Sequence, residues 1–267
     1  MNIQPQKSFK VLLIGDSCVD EYVYGTCDRL SPEAPVPVHL YKETKKFIGM
    51  AHNVYLNLLS FGLDCDFHTN NPEQLIKRRF IDLKSMSQLM RQDIGIHVES
   101  KPISSFLQYD AIVISDYDKG LIDPTSIKKI CETFSGPIFV DSKRKDLSIF
   151  PNAIIKINQY EAEQAKISDS NKLIVTYGKS GATYEGVKFD APCVGVYDVT
   201  GAGDIFLASL CYFYLTTKDF YKSIPKCVSL STKSVQHFGS YILTKDDINE
   251  VCLSLIHISE PTRRYAI

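Results

Sequence analysis

The chain has 267 residues, 44% apolar and 23% charged, with a net charge of −1. That is enough apolar sequence for one core of ordinary size, and the near-neutral balance excludes a global electrostatic pull toward nucleic acid or an anionic membrane. No apolar run approaches the ~20 residues of a membrane helix, and the polar start Met1–Lys10 lacks the apolar stretch of a secretory signal.

In chain order, Lys10–Ile14 (KVLLI) reads as a buried strand leading to Gly15-Asp16. Pro35–Tyr41 (PVPVHLY) alternates and carries prolines, which suits an edge strand. Ala51–Phe61 has helical spacing. Arg78–Ile94 reads as two alternating strands around a turn near Lys84-Ser85, and with Glu21–Gly25 they predict a small antiparallel flap. Four more apolar runs follow: Asp110–Ser115, Gly136–Val140, Ala153–Ile157 and Leu173–Thr176. Helical stretches at Thr125–Phe134 and Gln159–Ile167 lie between them. Strands alternating with helices predict an α/β protein with a mostly parallel sheet covered on both faces. Ligands bind outside the C-terminal ends of such strands, where Asp16, Asp20, Asp116, Asp141, Asn158 and Thr176 are expected to converge. Eight cysteines are scattered without CxxC or zinc-type spacing. A reducing, cytoplasmic setting without disulfides is therefore expected. Ser254–Ile267 has no clear periodicity and looks like a translated sequencing adapter; it is set aside as non-native. That leaves a single domain over 1–253, with lid segments inserted at about 21–48 and 78–95.

The strongest chemical signal is Asp198-Val-Thr-Gly-Ala-Gly-Asp204, followed at once by the apolar run Ile205–Tyr214. Gly201 and Gly203 free the backbone to turn at a helix start. The first amides of a helix lack internal partners and sit at the positive end of its dipole. They can stabilise the equatorial charge of a phosphoryl group in flight, and a carboxylate at Asp204 can accept the proton of an attacking hydroxyl. A plain helix cap would use similar residues; the full string, after an expected strand and before a buried helix, favours chemistry. It is neither a Walker A loop nor a Rossmann fingerprint.

This string resembles the second signature of the ribokinase-like (PfkB) carbohydrate kinase family. Val11–Tyr22 (VLLIGDSCVDEY) and Arg29–Val38 (RLSPEAPVPV) resemble, within it, the kinase domain of bacterial D-glycero-β-D-manno-heptose 7-phosphate kinases of ADP-heptose synthesis. The resemblance implies a ribokinase-like three-layer α/β/α sandwich, with a mostly parallel sheet and a small antiparallel β lid. It implies transfer of the γ-phosphoryl group of ATP to the anomeric hydroxyl of heptose 7-phosphate or a similar sugar phosphate. Asp204 would be the base and Gly201, Ala202 and Gly203 the anion hole. Asp20 would bind sugar hydroxyls, as would Gly49 and Asn53 of a Gly-Met-Ala-His-Asn run that resembles the family's GGAAN stretch. Gln88 and Arg91 would face the sugar phosphate from the lid. For ATP the resemblance offers Lys143, Asn158, Thr176, Gly178 and Gly181, and Glu161 would serve magnesium through water. It allows a monovalent cation and a homodimer formed through the lid, with no nucleic-acid or membrane partner.

Three departures from the family pattern stand out. Met50 replaces the second glycine and is expected to narrow the sugar pocket or change its shape. The Gly62–Lys77 stretch is shorter by about one strand–helix unit, which would expose a sheet edge or reshape the lid. Val228 stands near the place of an adenine-side asparagine. No counterpart of the nucleotidyl-transferring domain of the bifunctional heptose enzymes is expected within these residues. The alternatives are a family kinase for another sugar or a nucleoside, and a degenerate module that binds sugar or nucleotide without catalysis.

Overall fold

The chain opens with β1 (Lys10–Gly15), β2 (Ser17–Thr26) and β3 (Leu40–Met50), and β3 runs without a break into α1 (Ala51–Ser60). Next come β4 (Asp64–His68), β5 (Ile76–Asp82) and β6 (Ser87–Ile94). β7 (Ala111–Asp116), α2 (Pro124–Thr133), β8 (Ile138–Ser142), β9 (Ile154–Asn158), α3 (Gln159–Ala162) and β10 (Lys172–Thr176) then alternate. A hairpin of β11 (Ala182–Tyr184) and β12 (Val187–Phe189) precedes α4 (Ala202–Thr217), α5 (Phe220–Ser234) and α6 (Lys245–Ser254). This computed structural model describes residues 9–237 and 239–254; positions 255–267 of the presumed non-native tail lie outside them.

The main sheet has eight strands in the order β12-β11-β10-β9-β8-β7-β1-β4. Pairing is parallel from β4 to β10 and antiparallel across β10, β11 and β12. Its central strands are apolar on both faces because both are covered. Val11 and Leu13 face one cluster with Val54, Leu58, Ile205 and Leu207, under α1, α4 and α5. Leu12 and Ile14 face the other, with Ile127 and Ile130 of α2. The chain thus has the expected three-layer α/β/α arrangement, with its polar strand ends at one edge. All eight cysteines are free thiols, and no helix among the described residues is long and apolar enough to cross a membrane.

A second sheet, in the order β3-β2-β5-β6, forms the lid. β2 pairs antiparallel with β3 and β5 with β6, while β2 and β5 run parallel. The hairpin expected around Lys84-Ser85 is present as β5 and β6. β4, after Gly62, is the last strand of the main sheet. It is tied to the segment between β6 and β7, as Tyr109 donates to Asp66 at 2.7 Å and Lys101 to the Thr69 carbonyl at 2.9 Å.

Three expected elements differ. The edge strand over Pro35–Tyr41 starts only at Leu40; before it, Pro37 makes one isolated bridge to Leu30. Proline lacks the amide that a ladder needs. The helix expected over Gln159–Ile167 stops at Ala162. Lys166 is drawn instead into pairing with the 145–147 segment, donating to the Lys145 carbonyl at 2.7 Å. No strand leads directly into the glycine string, since residues 190–200 are irregular.

Candidate active site

α4 begins at Gly201, whose φ of 79° is left-handed and suits glycine. A side chain there would also meet Asn53, whose Nδ2 lies 2.6 Å from the place of a Cβ. Gly203 is similarly crowded by Lys156 Nζ, at 2.9 Å. The 201–204 segment is only partly covered, and the Ala202 amide donates to the Val199 carbonyl at 3.3 Å.

Asp204 stands in the first turn of α4. Asn53 of α1 donates to its Oδ2 at 2.9 Å, and the Tyr117 hydroxyl donates to Oδ1 at 3.2 Å. Burial pushes the Asp204 carboxyl up to about 6, assisted by the Asp141 charge and opposed by Asn53, Lys156 and Tyr117. A carboxylate poised there is ionised at neutral pH yet basic enough to take a proton.

Beside it lies a buried ion pair. Lys156 Nζ is 2.5 Å from Asp141 Oδ2 and 3.3 Å from the Gly203 carbonyl. Burial alone would raise the Asp141 carboxyl, but Lys156 and Lys143 hold it below the usual carboxylate range. Lys143 follows β8; its ammonium lies 2.5 Å from Glu161 and 3.6 Å from Asp141. Burial works against that ammonium, but the two carboxylates outweigh it and raise it to about 12.

Asn158 caps α3 through a reciprocal capping box with Glu161. Glu161 therefore has one oxygen on the Asn158 amide, at 2.9 Å, and the other on Lys143. Thr176 pairs with Asn158 across β9 and β10, so the expected ATP residues share one edge with Asp204. Gly178 and Gly181 form the turn beyond, with φ of 54° and 87°. At Gly181 a Cβ would lie 1.9 Å from the Phe189 carbonyl. Among the described residues no three His, Cys, Asp or Glu side chains cluster to hold a metal. Asp141 Oδ1 is buried without a hydrogen-bond partner. Such a donor set fits magnesium carried mainly by nucleotide phosphates and water, not by a protein cage.

On the sugar side, a cavity of about 320 Å³ is lined by Asp20, Tyr22, Phe47, His52, Asn53 and Ser240, among others. Gly49 faces Asp20 so closely that a Cβ would sit 1.9 Å from its Oδ2. Asp20 is paired with Arg79, Nη1 to Oδ1 at 2.5 Å, and the guanidinium lies over the Tyr22 ring, 5.2 Å from its centroid. The β2/β5/β6 register puts Lys77, Arg79 and Arg91 on one lid face with Asp20 and Tyr22. Arg91 and Gln88 lie on exposed β6. Arg91 forms a two-pronged pair with Asp93, at 2.6 and 2.7 Å.

Met50 does not line the cavity. Its side chain is buried in a small cluster with Cys18, Leu75, Val98 and Leu121, which replaces the expected narrowing of the sugar pocket. Its backbone is strained, with φ 60° and ψ −129°, a conformation that only glycine adopts readily. Val228 is buried in the main core.

The sequence assigned no role to Tyr117, which stands in the Asp116–Gly120 run (DYDKG), nor to Lys156, Arg79 or Lys77. Lys156 did leave a trace, as the lone charge in the apolar strand AIIKI. Lys77 and Arg79 alternate at the period of one strand face.

Residues 109–247 match the family described as pfkB family carbohydrate kinase. The bifunctional protein HldE of Nitratiruptor sp. is 29% identical over 300 residues, covering 90% of this chain and 64% of that protein. HldE of Aliarcobacter butzleri is 30% identical over 313 residues, covering 93% and 65%. The chain thus spans just under two thirds of these relatives. Among solved structures, ribokinase from Thermotoga maritima superposes with a TM-score of 0.70 at 14% identity, over 91% of this chain and 99% of the other. The nucleoside kinase of Methanocaldococcus jannaschii gives 0.66 at 18% identity, over 92% and 98%.

Proposed function

The chain belongs to the pfkB family of carbohydrate kinases, and from that premise we propose that it transfers the γ-phosphoryl group of ATP to a hydroxyl of a sugar phosphate. The anomeric hydroxyl of heptose 7-phosphate is the first candidate, since its curated relatives are HldE proteins. One observation carries the reading: a carboxylate held by Asn53 and Tyr117, and pushed up by burial, stands in the first turn of a glycine-lined helix start. Lys77, Arg79 and Arg91 on the inner lid face support an anionic substrate over a neutral sugar.

In this mechanism Asp20 and Asn53 hold the sugar, and Asp204 accepts the proton of the attacking hydroxyl. The amides of Gly201, Ala202 and Gly203 receive the equatorial phosphoryl oxygens. Lys143 offers a point charge to the nucleotide phosphates, and Asn158, Thr176, Gly178 and Gly181 shape the edge on which ATP lies. Gln88 and Arg91 close over the sugar phosphate with the lid. Glu161, with both oxygens engaged, would meet magnesium through water, and the bound ion would offset charge on the phosphates. A monovalent cation, a homodimer formed through the lid and a cytoplasmic setting belong to the same reading, as does the treatment of 1–253 as one kinase unit. Positioning and fixed charges supply most of the acceleration.

The test is ADP release with magnesium on a panel led by heptose 7-phosphate and fructose 6-phosphate. Wild-type kcat should fall as pH drops through about 6, where Asp204 gains its proton. Asp204→Asn should lose about 10²–10⁴-fold in kcat with ATP affinity retained. Near-normal turnover in that variant would refute the base, and ATP binding without ADP release on every sugar would point to a non-catalytic module.

A further inference from the structure

Tyr117 lies between three parts of the site. Its backbone amide donates to Asp16 Oδ2 at 2.8 Å, and the next amide, of Asp118, donates to Asp116 Oδ1 at 3.0 Å. Asp116 is itself fixed by Arg144 Nε and Ser142 Oγ, each at 2.7 Å. Two buried carboxylates therefore anchor the turn that carries the ring. The ring packs against the cluster of Cys18, Met50, Leu75, Val98 and Leu121. Above it stand the ammoniums of Lys77 from the lid and Lys143 from the phosphate side, 5.1 and 5.9 Å from the ring centroid. Its hydroxyl reaches Asp204 Oδ1 at 3.2 Å.

We propose that Tyr117 is a positioning residue for the base: its hydroxyl holds one carboxylate oxygen of Asp204 while Asn53 holds the other. The proposal rests on Asp204 being the base. Each carboxylate oxygen has two acceptor sites, so the two donors leave one free site per oxygen and fix where it points. Burial, then the charges of Asp204 and Asp141, push the Tyr117 phenol well above its usual value. It is therefore a donor throughout the working range. The charged and polar groups facing Asp204 are Asn53 from α1, Tyr117 after β7, Asp141 from β8, Lys143 beyond it and Lys156 from β9. Of these, Asn53 and Tyr117 bond the carboxyl directly. Losing a donor to the ionised form disfavours that form, so the carboxyl should gain its proton at higher pH.

Tyr117→Phe keeps the ring, its packing and both cation contacts, and removes only the hydroxyl. The ligand-free protein, with ¹³C-labelled aspartate carboxyls, is titrated by NMR, and the Asp204 signal is assigned by its loss in Asp204→Asn. The Tyr117→Phe midpoint should lie about one pH unit above wild type. The acid limb of kcat/KM on the active sugar phosphate should move with it, and KM for ATP should stay within about twofold. An unshifted midpoint overturns the proposal, even if kcat falls. Should Tyr117→Phe fail to fold, Tyr117→Met fills a similar volume and gives the same readout. An active Asp204→Asn would sink the base assignment, whereas an inactive one beside an unshifted Tyr117→Phe sinks the clamp alone.

Discussion

The start of α4 and the inner face of the lid both carry paired charges, in opposite settings. Lys156 and Asp141 are 4% and 9% exposed, and Lys156 also reaches the Gly203 carbonyl. On the lid, Arg91 and Asp93 are 44% and 47% exposed. A buried pair is costly to break, because the survivor is left charged and dry. An exposed pair contributes about 0–1 kcal/mol and can exchange partners. The sheet edge thus holds its charges in a fixed frame, whereas Arg91 on the lid can exchange partners; Arg79 and Asp20, 18% and 16% exposed, stand between the two.

The hardest way to break that contrast is Lys156→Met. It leaves Asp141 buried without its partner and should destabilise the protein by about 3–5 kcal/mol, read as a lower urea midpoint. A loss under about 1 kcal/mol would put this pair in the same class as the lid pairs. Arg79→Ala sharpens the lid side. It should raise KM for a sugar phosphate about tenfold or more, while KM for the unphosphorylated sugar changes little. Equal effects on both sugars would leave Arg79 as a partner of Asp20 alone. The smallest expected effect concerns the joint between the two regions. Met50→Ala and Met50→Gly lose nearly the same packing, but only glycine relieves the φ 60° strain. The glycine variant should therefore be the more stable, by about 1 kcal/mol. The reverse order would mean the backbone there is not strained.

Much of the frame was legible because its signals are local. The apolar runs at Lys10–Ile14 and Asp110–Ser115 mark covered strands by composition alone, and the glycines before Ile205 mark a helix start. The unread part is long-range. Tyr117 lies 87 residues from Asp204, and Arg79 lies 59 from Asp20. The parallel pairing of β2 with β5 is likewise set by the whole fold. Local pattern also misled at Gln159–Ile167, where pairing with the 145–147 segment outweighed helical spacing. Glu161 satisfies a helix cap and stands in the phosphate-side cluster at once, so its residue type alone could not separate the two roles.

β3 passes into α1 with no linker between Met50 and Ala51. The far end of that strand belongs to the lid, and the first turn of that helix carries Asn53, hydrogen-bonded to Asp204. A displacement of the far end of β3 would therefore be carried, through one unbroken stretch of backbone, to the residue that bonds the Asp204 carboxylate.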